Sequence, residues 1–294
     1  MIKRKLFIGT SGWVYGHWDG IFYPENLPSK DKLKYFSKHF KTAEVNYSFY
    51  HLPRPNTYQK WYQETPADFI FAVKASRFIT HIKRLKGVKE AWQQFLENAL
   101  NLKEKLGPIL FQFPPSFKTT PENIKRLDNF LKFIRENSSS NSHKPSTELC
   151  SGAGPVPHRN KVSGAGFARY AFEFRHQSWC DKKIYKILKK YNTAWVIADS
   201  PSYPYIETLK KFRSGRLAKS ENSPKAEVVT ADFVYIRLHG SKILFASKYT
   251  KEELKYFAQK IKKWLKTADV YVYFNNDAYG YAIKNAKELL KLPT

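Results

Sequence analysis

Cysteine is nearly missing: 294 residues hold two, Cys150 and Cys180. Two thiols rule out a disulfide framework, and their separation is not that of a metal finger. No stretch approaches the roughly 18 consecutive apolar residues of a membrane helix. The opening "MIKRKLFIGT" runs from a few charges straight into a strand-like segment, with no apolar leader or cleavage site. These absences lead us to expect a soluble cytoplasmic protein without a membrane partner. Acidic residues are also short, with 25 Asp and Glu against 51 Lys and Arg, a formal net charge of +26. A lysine-rich solvated surface is the plain explanation, but there are too few acids to pair with even half of the basic side chains. The excess therefore favours a polyanionic partner, DNA or RNA, or a phosphate-containing ligand. Two catalytic signatures are missing as well. "IGTSGW" (8–13) lacks the GxGxxG that a dinucleotide needs, and no HxH or HExxH spacing marks a metal.

What the chain has in quantity is aromatic residues, 16% of the total, arranged in short β-rich runs. The runs are 6–10, 42–49, 69–75, 108–113, 170–175, 193–199, 233–240 and 270–275, and most are followed by a segment of helical period. "TPENIKRLDNFLKFIREN" opens with Pro121 and Glu122, as a helix start should. Alternating strands and helices imply a parallel sheet. Eight such units in a single domain of this length predict a (β/α)8 TIM-type barrel, with an open doubly wound sheet as the alternative. Two segments depart from a minimal barrel. Residues 137–166, rich in Ser, Gly and Pro, replace a connection of roughly 2–6 residues before strand five, and read as a flexible insertion on the bottom face. Residues 200–231 replace helix six with a long basic excursion on the top face.

In a barrel of this kind the C-terminal strand ends carry the chemistry, and side chains alternate between interior and helix layer. That rule selects Glu44 and Asn46, Lys74, Gln112, Glu173 and Arg175, Asp199, Arg237 and His239, and Asn276 beside Asn275 and Asp277. Phe172 and Phe174 take the helix-facing side of strand five, and His176 falls to the loop. Any one of these polar residues could be structural, and Glu173 with Arg175 could be a bracing ion pair. Their coincidence at seven strand ends predicts one shared mouth. Glu44, Glu173, Asp199 and His239 are the candidate acids, bases or nucleophile activators. Asn46, Lys74, Gln112, Arg175, Arg237 and Asn276 are the candidate anion contacts. The same carboxylates and histidine could hold a divalent metal, although the neighbouring cations compete with one. No cofactor is implied.

"FIGTSGWVYGHWDGIFYPENLP", "DFIFAVKASRFITHIKRL", "GPILFQFPP", "YAFEFRHQSW", "WVIADSP", "FVYIRLHG" and "VYFNNDAYGYAIKNAKEL" closely resemble the YecE-like family, a domain of unknown function. The likeness spans nearly the whole chain except 137–166 and much of 205–228. It implies a TIM-barrel fold, and the family's polar signature matches Glu44, Asn46, Lys74, Glu173, Arg175, Asp199, Arg237 and His239. It implies no activity. Within that signature Trp13, Tyr15, Trp18, Phe22 and Tyr23 follow strand one, either as a hydrophobic lid or as a stacking wall for a base or sugar ring. Three functions stay open. The first is an enzyme on nucleic acid or nucleotides, performing phosphodiester or N-glycosidic hydrolysis. The second is an enzyme on a small anionic metabolite such as a sugar phosphate, including paired-carboxylate glycoside chemistry. The third is a non-catalytic nucleic-acid-binding barrel.

Overall fold

A computed structural model describes residues 4–139, 168–201 and 226–294. Eight strands run in one direction: β1 (Leu6–Thr10), β2 (Thr42–Val45), β3 (Ile70–Lys74), β4 (Leu106–Gln112), β5 (Tyr170–Glu173), β6 (Thr193–Asp199), β7 (Phe233–Leu238) and β8 (Asp269–Phe274). Every pairing is parallel, in the order β1-β8-β7-β6-β5-β4-β3-β2. A bridge between Ser11 and Glu44 brings β1 against β2, so the sheet closes into the expected barrel. Helices flank it: α1 (Lys32–His39), α2 (Tyr47–Tyr50), α3 (Pro55–Gln63), α4 (Lys89–Ala99), α5 (Pro121–Ser139), α6 (Lys182–Lys190), α7 (Lys251–Trp264) and α8 (Tyr281–Leu290).

Local chemistry sets where the helices begin. Pro55 and Pro121 stand at the start of α3 and α5, where a missing N–H costs nothing. The Asp181 carboxylate accepts from Lys183 N at 2.6 Å at the start of α6. Thr250 and Glu253 form a reciprocal capping box on α7. Several strands are shorter than the sequence suggests. The 42–49 run ends as a strand at Val45, because Asn46 adopts helical backbone angles and Tyr47–Tyr50 makes one turn of α2. The 170–175 run ends at Glu173, leaving Arg175 just beyond the strand. Helix α5 reaches Ser139, so the first three residues of the expected 137–166 insertion are helical. The remainder of that insertion, and residues 202–225 of the basic excursion, lie outside the described residues.

Alternation along the strands separates two apolar layers. Residues such as Ile8, Phe111, Phe172, Trp195 and Val272 face the helices. Inside the barrel, Phe7, Ala72, Leu110, Ala171, Val196, Tyr235 and Tyr273 fill the lower and middle levels. That packed interior leaves only the top layer for polar side chains, which is where the site is built.

Gly9 sits where β1 meets β2, and a Cβ there would stand 2.1 Å from the Thr42 carbonyl oxygen. A backbone atom has little freedom to yield, so Gly9→Ala is expected to cost about 3 kcal/mol, the upper end of overpacking effects. Urea unfolding measures it. A loss under about 0.5 kcal/mol, the range of a neutral surface change, would mean that the two strands are not held this closely.

Candidate functional site

The inward positions at the top of the strands are Ser11, Glu44, Lys74, Gln112, Glu173, Arg237, His239 and Asn275, and side-chain bonds join most of them. Arg237 is the hub. Its Nε and one terminal nitrogen grip Glu44 at 3.0 and 2.8 Å, and the other terminal nitrogen donates to Glu173 at 2.7 Å. Glu44 also accepts from the Ser11 hydroxyl at 2.6 Å and the Tyr235 phenol at 2.7 Å. Glu173 accepts from Gln112 Nε2 at 2.9 Å and Arg175 Nε at 2.8 Å. All four carboxylate oxygens are therefore engaged, and Glu44, Glu173 and Arg237 are all essentially inaccessible to water.

This arrangement settles which groups carry charge. Burial alone pushes the Glu173 carboxyl up, but the guanidiniums of Arg237 and Arg175, with His239, outweigh it and hold the group well below its usual range. Glu44 is lowered in the same way, with Arg237 opposing the effect of burial. Arg237 is raised by its two carboxylate partners despite its own burial. His239 is driven well down by burial and by Arg237, so its ring is neutral. It lies 3.1 Å from Asn275 Nδ2 and 3.5 Å from Arg237.

Lys74 is different. It is 8% exposed, and its Nζ stands 4.1 Å from the centroid of the Phe49 ring. Among the described residues the amine makes no hydrogen bond and no ion pair. Burial lowers it most and Arg237 adds to this, while Glu44 and Glu173 only partly offset the effect, so the pKa falls to about 7. A buried amine with no oxygen partner loses its proton more readily than a solvated lysine, because burial penalises the charged form.

The recess above this layer encloses about 630 Å³ and is lined by Tyr15, Asn46, Lys74, Arg77, His81, Gln112, Arg175, Arg237 and Asn275, with Phe49, Tyr50 and Phe245. The structure thus brings Asn46, Lys74, Gln112, Arg175 and Arg237 to one mouth, with Glu44, Glu173 and His239 directly beneath. Two expected residues go elsewhere. Asp199 shares the parity of Trp195 and Ile197, faces the helix layer, and accepts from the Tyr249 phenol at 2.8 Å. Asn276 shares the parity of Phe274 and donates to Ser247 O at 2.9 Å and Asn285 Oδ1 at 3.0 Å. Its neighbour Asn275 takes the place in the mouth.

Arg77, His81, Tyr50 and Phe245 were not foreseen. Tyr50 ends α2, Arg77 and His81 belong to the short helical segment after β3 and Phe245 to a turn after β7, so no strand alternation indicates their direction. His81 touches the Phe49 ring edge-on at 5.0 Å, and burial, then Lys74 and Arg175, lower its pKa to about 4. The aromatic stretch after β1 divides. Trp18, Phe22 and Tyr23 pack against Phe36 and its neighbours as core, and Asp277 accepts from Trp18 Nε1 at 2.9 Å and pairs with His17 at 2.9 Å. Trp13 belongs to the same core and also lines a cavity, as does Tyr15. Among the described residues no group of three or more His, Cys, Asp or Glu is placed to hold a metal. Of the carboxylates that sequence alone would offer a metal, Glu44 and Glu173 are engaged by guanidinium and Asp199 accepts from the Tyr249 phenol. Nor, among the described residues, is any helix long and apolar enough to cross a membrane.

The fold recurs in other proteins. UPF0759 protein YunF of Bacillus subtilis is 27% identical over 310 residues, spanning 98% of this chain and 94% of that protein. UPF0759 protein YecE of Escherichia coli is 26% identical over 126 residues, 43% of each chain. A DUF72 crystal structure from Thermotoga maritima superposes with a TM-score of 0.73 at 27% identity, covering 98% of both chains. One from Enterococcus faecalis has a TM-score of 0.70 at 20% identity, covering 98% of this chain and 96% of that one. The family model described as "Protein of unknown function DUF72" matches residues 7–294. With this match over nearly its whole length, the chain belongs to the DUF72 family.

Proposed function

We propose that the mouth is the active site of an enzyme that binds a small organic anion, one carrying a phosphate or carboxylate, with Lys74 as its acid–base group. The observation that carries this reading is the inequality of charge in the recess. Glu44 and Glu173 are consumed by Arg237 and Arg175, whereas Lys74 and Arg77 face the cavity with no carboxylate engaged on either among the described residues. In this reading the two glutamates hold Arg237 in place rather than activate water, because their oxygens are occupied and their low pKa makes them poor bases. An amine near pH 7 is the better proton carrier. A recess of about 630 Å³ suits a metabolite rather than a strand of nucleic acid.

Isothermal titration with inorganic phosphate and simple phosphate monoesters tests the idea. Arg77→Ala removes an exposed cation with no structural partner to disturb, and is expected to weaken binding about tenfold, one charge-assisted contact. Arg175→Ala is expected to do at least as much. If tens of millimolar phosphate gives neither heat nor a rise in melting temperature, the anion reading is wrong.

A specific observation also supports a single-stranded nucleic acid. Tyr50 at the end of α2 and Tyr279 in the turn before α8 are 69% and 66% exposed, and Tyr47 and Phe78 are exposed as well. Stacking platforms beside a cationic groove are how such strands are held. Labelled single-stranded DNA and RNA separate the two readings. Affinity falling about a thousandfold between 50 and 200 mM salt would favour the strand, and no measurable binding leaves the small anion.

A further inference from the structure

Beside the mouth lies a second recess of about 730 Å³, bounded by the loop after β1, by α1 and by α3. Its walls have a different character. Trp13, Leu33 and Trp61 supply an apolar surface, and the two indoles meet edge to face with ring centres 5.3 Å apart. Polar and charged groups rim this surface on two sides, Ser29 and Lys30 ahead of α1 and Arg54, Lys60 and Glu64 along α3, where Thr57 stands half-buried. Tyr15 and Asn46 line both recesses, so the cationic mouth and the aromatic recess share a wall.

At that shared wall the Asn46 carboxamide oxygen is buried and accepts no hydrogen bond among the described residues. Buried amide oxygens are normally paired, and rotation of the Asn46 amide about χ2 would turn this one to the cavity wall as an acceptor for a ligand N–H. A simple acyl tail would fill the apolar part but leave that oxygen unsatisfied. A planar ring with an N–H edge meets both demands, stacking on indole and donating to the amide.

We infer that the aromatic recess is the second half of the substrate site and holds a planar N–H-bearing ring, carried by the same molecule whose anionic group occupies the mouth. This makes the substrate a mononucleotide-like anion, and it rests on the anion-binding reading of the mouth. Trp13 and Trp61 bound the ring, Asn46 reads its N–H edge, and Lys74, Arg77 and Arg175 hold the phosphate. The two volumes together accommodate such a molecule.

The test compares ribose 5-phosphate with AMP, GMP, CMP and UMP by calorimetry at pH 7, since these share head and spacer and differ by the ring. At least one nucleotide is expected to bind about tenfold or more tighter than ribose 5-phosphate, the worth of one stacked base. Thr57→Trp fills the recess from α3 and is expected to erase that preference while leaving ribose 5-phosphate affinity unchanged. Should Thr57→Trp fail to fold, Asn56→Trp, at an exposed edge of the same recess, serves in its place. Four nucleotides within about threefold of ribose 5-phosphate would overturn the inference while leaving the mouth intact, as would a preference that survives the blocking substitution. Absence of binding by every probe would overturn the anion reading and this inference with it.

Discussion

Arg237→Met is expected to lose about 3–5 kcal/mol of folding stability, the cost of removing one partner from a fully buried ion network. Wild-type Arg237 contacts Glu44 through two nitrogens and Glu173 through a third, all three residues being sealed from water. Methionine keeps much of the volume but leaves two buried carboxylates facing one another. The pH dependence supplies a sign that simple loss of packing does not. In the wild type both carboxyls titrate below their unfolded values, so they contribute stability above the ordinary carboxylate range and lose it as acid protonates the folded state. Without the guanidinium, burial dominates and their pKa values rise above the unfolded ones. Arg237→Met should therefore become less stable as pH rises from 5 to 8. The triple variant Glu44→Gln, Arg237→Met, Glu173→Gln should recover most of the loss, because neither buried carboxylate remains to go unpaired. Urea melts at several pH values decide it, and a triple variant as unstable as the single one would show that charge burial is not the cause.

Lys74→Met should split binding from stability. Sulfate is the probe, since it does not itself titrate in the range used. The wild-type affinity is expected to fall roughly tenfold or more as pH rises from 6.5 to 9, following loss of the ammonium charge with its pKa of about 7. Other groups near the mouth hold their state across this window. His81 and His239 are already neutral, Glu44 and Glu173 already ionised, and Asp277, pushed up to about 6 by burial, titrates below it. Lys74→Met should thus bind weakly and with no pH dependence. Its effect on the fold has the opposite sign. Between about pH 7 and the ordinary lysine value the unfolded chain holds a proton that folded Lys74 has released, so wild-type stability rises with pH there. The variant lacks that slope and should be at least as stable near neutrality. A flat wild-type profile, or a variant that binds sulfate as well as the parent, would remove Lys74 from the mouth's working groups.

Much of this architecture was legible before any coordinates. Strand and helix alternation led to the barrel because burying one face of each element requires a fixed period, and that period is written in the order of apolar residues. Glu173 was placed correctly because Phe172 and Phe174 flank it with clear alternation, and Arg237 because Ile236 and Leu238 do the same. Asp199 was misplaced for the converse reason. Its strand reads Thr-Ala-Trp-Val-Ile-Ala-Asp, nearly uniform in polarity, so no contrast tells which side faces inward. Asn276 failed by a single residue. Tyr271 and Tyr273 point into the barrel, which carries Asn275 inward and Asn276 outward, but tyrosine is equally at home in either layer.

The sequence by itself determined the barrel, the family and most of the polar residues at the strand tops, since each depends on local period and on residue type. Tertiary structure alone decided what those residues do. Whether a glutamate is a base or a counter-ion depends on how many donors reach its oxygens, and the donors of Glu44 and Glu173 include side chains from the ends of β1, β4 and β7, remote in the chain. Whether a lysine is charged depends on its depth and on which neighbours are already paired. Those are properties of three-dimensional neighbourhoods, and no spacing along the chain encodes them.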